Sequence, residues 1–167
     1  MASGDTLCVF VPAMSEPPST NYATFDTRNG VLVLDFDDAT SESVEFPGFM
    51  PRHYAATTGI TVTLGWMFTS SGTPGTDTCV WDVAFKSVSD DADDLDTKAF
   101  AAANSVTATS ASADGEVDYA TITFTDGADM DSVAAGEYFR MSVQRDAASG
   151  TASPGDAELV FIEIQET

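Results

Sequence analysis

Basic residues are scarce in this 167-residue sequence: six Lys plus Arg stand against 27 Asp plus Glu, a formal net charge of −21 at pH 7. Affinity for phosphates comes from clustered Lys and Arg. Nucleic-acid binding is therefore excluded, and adsorption to anionic membranes with it. Cysteine is nearly absent. Cys8 and Cys79 lie far apart, each inside an apolar run. They read as two buried free thiols, with a Cys8–Cys79 disulfide as the other arrangement. His53 is the only histidine. Two cysteines and one histidine cannot build a zinc site unaided. Long apolar runs are missing too: no stretch approaches the roughly 20 apolar residues of a membrane-spanning helix. The run from Leu7 to Val11 is too short for a signal-peptide core, and no Lys or Arg precedes it. The expectation is synthesis in the cytoplasm without export by that route. Extended helical periodicity is also lacking, as is a glycine-rich phosphate loop.

Strand patterns fill the space that helices leave. Hydrophobic residues make up 43% of the chain, too many for a disordered acidic tail, so the charge belongs on a folded surface. Leu7 to Val11 is apolar on both faces. Pro12 to Thr20 holds three prolines among small polar residues and reads as an extended arm or loop. Asn29-Gly30, between Tyr22–Thr27 and Val31–Phe36, is the strongest short hairpin signal, because both central residues of a type I′ turn need positive φ. Val44 and Phe46 share one face of a short strand closed by Pro47-Gly48. Ile60, Val62, Leu64, Trp66 and Phe68 alternate with Thr61, Thr63, Gly65, Met67 and Thr69. Cys79, Trp81, Val83 and Phe85 alternate with polar and small residues, and these two strands read as an antiparallel hairpin with both tryptophans inward. Thr97 to Ala103 and Asp131 to Gly136 each resemble one turn of helix. Ala120, Ile122 and Phe124, then Phe139, Met141 and Val143, continue the alternation. Leu159 to Ile164 is apolar on both faces near its middle.

Several short strands at even spacing, with polar turns between, predict an all-β fold. It is an antiparallel, jelly-roll-like β-sandwich of about eight to ten strands with one or two single-turn helices. No composition break divides residues 1–167, so a single domain is expected, with an extended Pro-rich segment at 12–22. Trp66, Trp81, Phe85, Leu64, Ile122, Phe124, Phe139 and Ile162 are the expected core. The first and last strands, apolar on both faces, need cover from a loop or a second subunit.

No catalytic motif emerges, and no enzyme activity is expected. His53 pairs with no nucleophile pattern, and Gly-x-Ser-x-Gly is absent. Carboxylates cluster at Asp35, Asp37 and Asp38, at Asp90 to Asp96, and at Asp126, Asp129 and Asp131. Such clusters could hydrolyse glycosides or hold a structural Ca²⁺, which takes six to eight oxygen ligands. None fits an EF-hand loop, and among 27 acids the simplest reading is solvated surface. No other cofactor is implied. The tryptophans are in phase with the core. Tyr22, Tyr54, Tyr119 and Tyr138 are the better candidates for exposed aromatics, since Tyr119 and Tyr138 lie out of phase with the apolar sets of their strands.

The segments Ala23-Thr-Phe-Asp-Thr-Arg-Asn-Gly30 and Leu34-Asp-Phe-Asp-Asp38, then Pro51-Arg-His-Tyr54, Val80-Trp-Asp-Val-Ala-Phe85, Ala135 to Asp146 and Asp156-Ala-Glu-Leu159, give the chain a whole-length likeness. It resembles small acidic all-β structural proteins of tailed bacteriophages, of the capsid decoration (cement) type. The resemblance implies a non-enzymatic virion protein, made in the host cytoplasm and placed on the capsid surface. Its expected partners are the major capsid protein and itself, as a homotrimer. The alternative is a carbohydrate-binding or head-fibre/tail-fibre module that recognises host-surface glycan. The Pro-rich segment, with Pro17, Pro18 and Tyr22, and the loop bearing Phe49, Met50, Arg52 and Tyr54 are the expected interface, because Met, Arg and aromatic residues are enriched in interface cores. An exposed row of aromatics with nearby Asn or Asp would favour glycan; a flat apolar patch would favour the virion role.

Overall fold

A computed structural model describes residues 4–150 and 155–167; part of the loop expected over 146–155 lies outside them. Ten strands account for almost all regular structure: β1 (Thr6–Phe10), β2 (Thr24–Arg28), β3 (Val31–Phe36), β4 (Glu42–Phe49), β5 (Ile60–Phe68), β6 (Thr78–Val88), β7 (Asn104–Thr109), β8 (Asp118–Phe124), β9 (Tyr138–Arg145) and β10 (Ala157–Glu166). One sheet runs β2-β3-β10-β5-β8, with β1 joining β10 beyond the end of β3; the other runs β4-β9-β6-β7. Every strand pair is antiparallel. The architecture is the antiparallel β-sandwich that the alternating pattern implies.

All eight expected core residues are at most 3% exposed. Trp66 of β5 meets Trp81 of β6 across the interlayer space, with ring centroids 6.0 Å apart. Phe85 touches Phe124 at 5.0 Å and Phe139 at 5.6 Å, so rings from both sheets interlock. Edge-to-face geometry at such distances adds to the burial of apolar area. The tryptophans face each other because β5 and β6 lie in different sheets. The expected β5–β6 hairpin is thus corrected: the 69–77 connection crosses from one layer to the other, and alternation reports the inner face without naming the neighbour.

The Asn29-Gly30 turn joins β2 and β3 as expected, with φ of 49° and 81°. Other local expectations shift. β4 does not stop at Pro47-Gly48 but continues to Phe49. It is an edge strand, where Pro47 interrupts no ladder on its outer side. Thr97 to Ala103 contains no helix. The turn expected at Asp131 to Gly136 is replaced by a 3₁₀ turn at Ala128–Met130, and a second 3₁₀ turn at Pro12–Met14 interrupts the segment expected to be extended. β10 sits mid-sheet, between β3 and β5, with Leu159, Ile162 and Ile164 buried in the core. β1 is an edge strand whose Val9 remains 54% exposed.

Candidate functional site

Where a strand's inward residues are apolar, the residues between them define the outer face. On the larger sheet that face presents Thr61, Thr63, Gly65 and Met67 of β5, Tyr119, Thr121 and Thr123 of β8, Glu158, Phe161 and Glu163 of β10, and Val33 and Asp35 of β3. Tyr119 is 64% exposed and is the most exposed large side chain on this face. Its ring stands edge-on to Phe161, with centroids 5.3 Å apart. Phe161 lies over Gly65, its register partner, and a Cβ at that glycine would overlap the phenyl ring. A shift in register between Leu159 and Phe161 is what turns Phe161 outward. The strand pattern of Leu159 to Ile164 hid this residue from the sequence reading, because a bulge leaves no period to detect.

Beside the aromatic pair lies a cleft of ≈ 410 Å³, walled by Val31, Val33, Met67, Val117 and Val160, with Arg28 and Asn29 at its end. Glu158, opposite Asp35 in register, is fully buried. Its Oε2 accepts a hydrogen bond from Arg28 Nε at 2.6 Å. Oε1 of Glu158 and Oδ1 of Asp35 are buried without hydrogen-bond partners among the described residues. Burial first, and then the neighbouring Asp156, Glu158, Asp26 and Glu42 charges, push the Asp35 carboxyl up to about 6. One face therefore combines an exposed ring, an apolar shelf, a row of threonine hydroxyls and a guanidinium–carboxylate pair. Such a surface suits a ligand with apolar C–H faces and many hydroxyls. Glu158 itself, sealed and held by Arg28, is out of reach of a glycosidic bond.

Two of the acidic clusters meet at Lys98, whose Nζ lies 3.0 Å from Asp93 and 3.1 Å from Asp131. Asp37 and Asp38 meet Asp156, which sequence reading did not group with them; their carboxylate oxygens lie within 4.8 Å. These three could hold a hard cation. One oxygen each of Asp37 and Asp156 already serves the backbone, however. Asp37 accepts from the N–H groups of Ala39 and Thr40, which holds its pKa below the usual range, and Asp156 accepts from Asp38 N–H at 2.9 Å. The buried Arg145 guanidinium also bears on Asp37. Turn capping accounts for the backbone contacts of Asp37 and Asp156.

The expected interface residues divide. Met50 is 1% exposed and Tyr54 is 4% exposed, so neither can offer a surface. Tyr54 donates its hydroxyl to Asp126 at 3.0 Å, and burial raises its phenol pKa well above the ordinary value. The correction has a simple cause: the loop after β4 folds inward, with Met50 and Gly136 joined through the backbone. Phe49 and Arg52 are exposed, as are Pro17 and Tyr22, while Pro18 is half-buried. The Pro-rich segment packs on its own sandwich, bridging to β4 through Glu16–Glu45 and Tyr22–Ser43. Cys8 and Cys79 are free thiols, but only Cys79 is buried. Tyr138 is half-buried, and His53 is exposed.

No protein-family model and no curated protein matches the chain. The fold has counterparts among solved structures. A family 35 carbohydrate binding module from an environmental isolate superposes with a TM-score of 0.51 at 10% identity, over 95% of this chain and 92% of that one. The N-terminal CBM22-1–CBM22-2 tandem domain of Paenibacillus barcinonensis Xyn10C gives a TM-score of 0.52 at 12% identity, over 97% of this chain and 50% of that one. At such identities the likeness defines the fold, a jelly-roll-like β-sandwich, and nothing finer.

Proposed function

We propose that this protein is a non-catalytic carbohydrate-binding domain that holds a glycan across the outer face of its larger sheet. The observation that carries the reading is the Tyr119–Phe161 pair, an exposed ring braced by a second ring over Gly65, next to an apolar cleft and a carboxylate–guanidinium pair. Sugar rings offer apolar C–H faces to an aromatic surface and hydroxyls to threonines and to the part-exposed Arg28 guanidinium. The shared fold with carbohydrate-binding modules supports the same reading. Affinity electrophoresis and calorimetry against soluble polysaccharides test it. Tyr119→Ala, at an exposed position, is expected to leave the melting temperature unchanged and weaken binding at least about tenfold. Gly65→Ala is expected to displace Phe161 and weaken binding as well. A wild-type chain that binds none of a broad panel of β- and α-glycans overturns the reading.

One observation favours a second reading, a virion structural protein on the outer capsid surface: an apolar edge at Val9, Met14, Phe49 and Tyr138. Co-sedimentation with capsids and light scattering for a homotrimer test it. A monomer that stays in the supernatant overturns it.

A further inference from the structure

At the bottom of the sandwich, the free edge of β1 and the end of β4 converge. Val9, Val11, Met14 and Phe49 are each more than 40% exposed there, at 54%, 45%, 43% and 63%. With Cys8, Pro47 and Tyr138, three of them (Val9, Met14 and Phe49) line a groove of ≈ 450 Å³. Apolar residues scattered singly need no explanation, but a continuous apolar groove does. Phe49 and Tyr138, with ring centroids 5.8 Å apart, form the ridge on its far side. Across that ridge the same two rings wall a second hollow of ≈ 460 Å³, whose other side holds Asp90, Asp91 and Glu137. An apolar trough and an acidic trough thus share one aromatic wall.

We propose that this edge docks a segment of another protein in which apolar residues are followed directly by Lys or Arg. The apolar side chains fill the first trough. The cation crosses the Phe49–Tyr138 ridge, where ring faces attract it, and meets the three carboxylates. Side-chain insertion is the mode, not strand addition along β4. Pro47 has no N–H to donate, and Glu16 and Tyr22 already bridge to that strand. A second copy of this chain is a poor occupant, because each copy adds a formal charge of −21 and among the described residues only Arg52 lacks a carboxylate or ring partner among the cations near this edge.

The test uses the full chain and a fluorescein-labelled peptide, Gly-Ser-Leu-Leu-Lys-Arg-Gly, read by anisotropy at physiological salt, beside the same peptide with Glu in place of Lys and Arg. Binding of the basic peptide alone is expected. Phe49→Ser and, separately, Met14→Ser are expected to weaken it at least about tenfold, and Asp90→Asn with Asp91→Asn by a similar factor. Asp114→Asn with Glu116→Gln removes the same charge at the opposite end of the sandwich and is expected to leave affinity unchanged. Equal weakening by the distant pair means diffuse charge attraction and overturns the proposal. So does unchanged binding in both folded serine variants, or a wild-type dimer that Phe49→Ser dissociates.

Discussion

Asp35 shows how a single position on a strand acquires properties its residue type lacks. On β3 it faces Glu158 of β10, in a row where the only guanidinium, Arg28, is already given to Glu158. Burial and four neighbouring carboxylates raise its pKa from 3.8 to about 6. Folding therefore favours the protonated form. The stability this contributes is complete below pH 3.8 and is lost as pH climbs through about 6. Asp37, Asp93, Asp129 and Asp146 shift the other way, so the whole protein's pH profile mixes opposing signs. The difference between wild type and Asp35→Asn isolates the one group. Asp35→Asn is expected to be more stable than wild type at pH 7, with the gap closing by pH 4, as read from melting temperatures across that range. A gap that widens on acidification contradicts the placement.

At the scale of elements, the β2–β3 hairpin is the piece most dependent on local sequence. Asn29 and Gly30 both carry positive φ, the backbone a type I′ turn needs. Replacing Gly30 with valine forces a β-branched residue into the left-handed region, at a cost of about 1–2 kcal/mol. The expected result is a lower denaturant midpoint with an unchanged m-value. The hairpin also carries Arg28 and Val31 into the cleft, so the turn positions one wall of the proposed site. β10 behaves differently. Its register shift between Leu159 and Phe161 sends one ring to the outer face while Leu159 and Ile162 remain inside. Nothing local in Leu159 to Ile164 marks that bulge; it shows only in the pairing of β10 with β5.

For the whole molecule, the interlayer aromatic cluster is the main cohesive element. Trp81 touches Phe36 and Trp66, at centroid distances of 5.1 and 6.0 Å, and is fully buried. Trp81→Ala removes contacts to two strands of the opposite sheet at once, and a loss of about 3–5 kcal/mol is expected. Chemical denaturation measures it; near-wild-type stability would contradict the packing described. The aromatic pair on β8 and β10 and the apolar β1–β4 edge are built from different residues of one scaffold. Glycan binding and partner docking are thereby separable by mutation.

Alternation with period two was enough to determine which residues point inward, and with it the all-β class and every member of the expected core. The reason is local: successive side chains on a strand must face opposite ways, and water sorts them. The Asn-Gly turn was legible for a similar reason, since few dipeptides tolerate its backbone. Tyr119 was legible as an out-of-phase aromatic. What only the tertiary structure decided are relations between distant segments. They include β5 and β6 occupying opposite sheets, Asp156 joining Asp37 and Asp38, Glu158 sealed beside Asp35, Phe161 turned out over Gly65, and Met50 and Tyr54 drawn inward. Each depends on which strand lies beside which. Pairing partners are chosen by the packing of the whole sandwich, and a one-dimensional pattern carries no record of that choice.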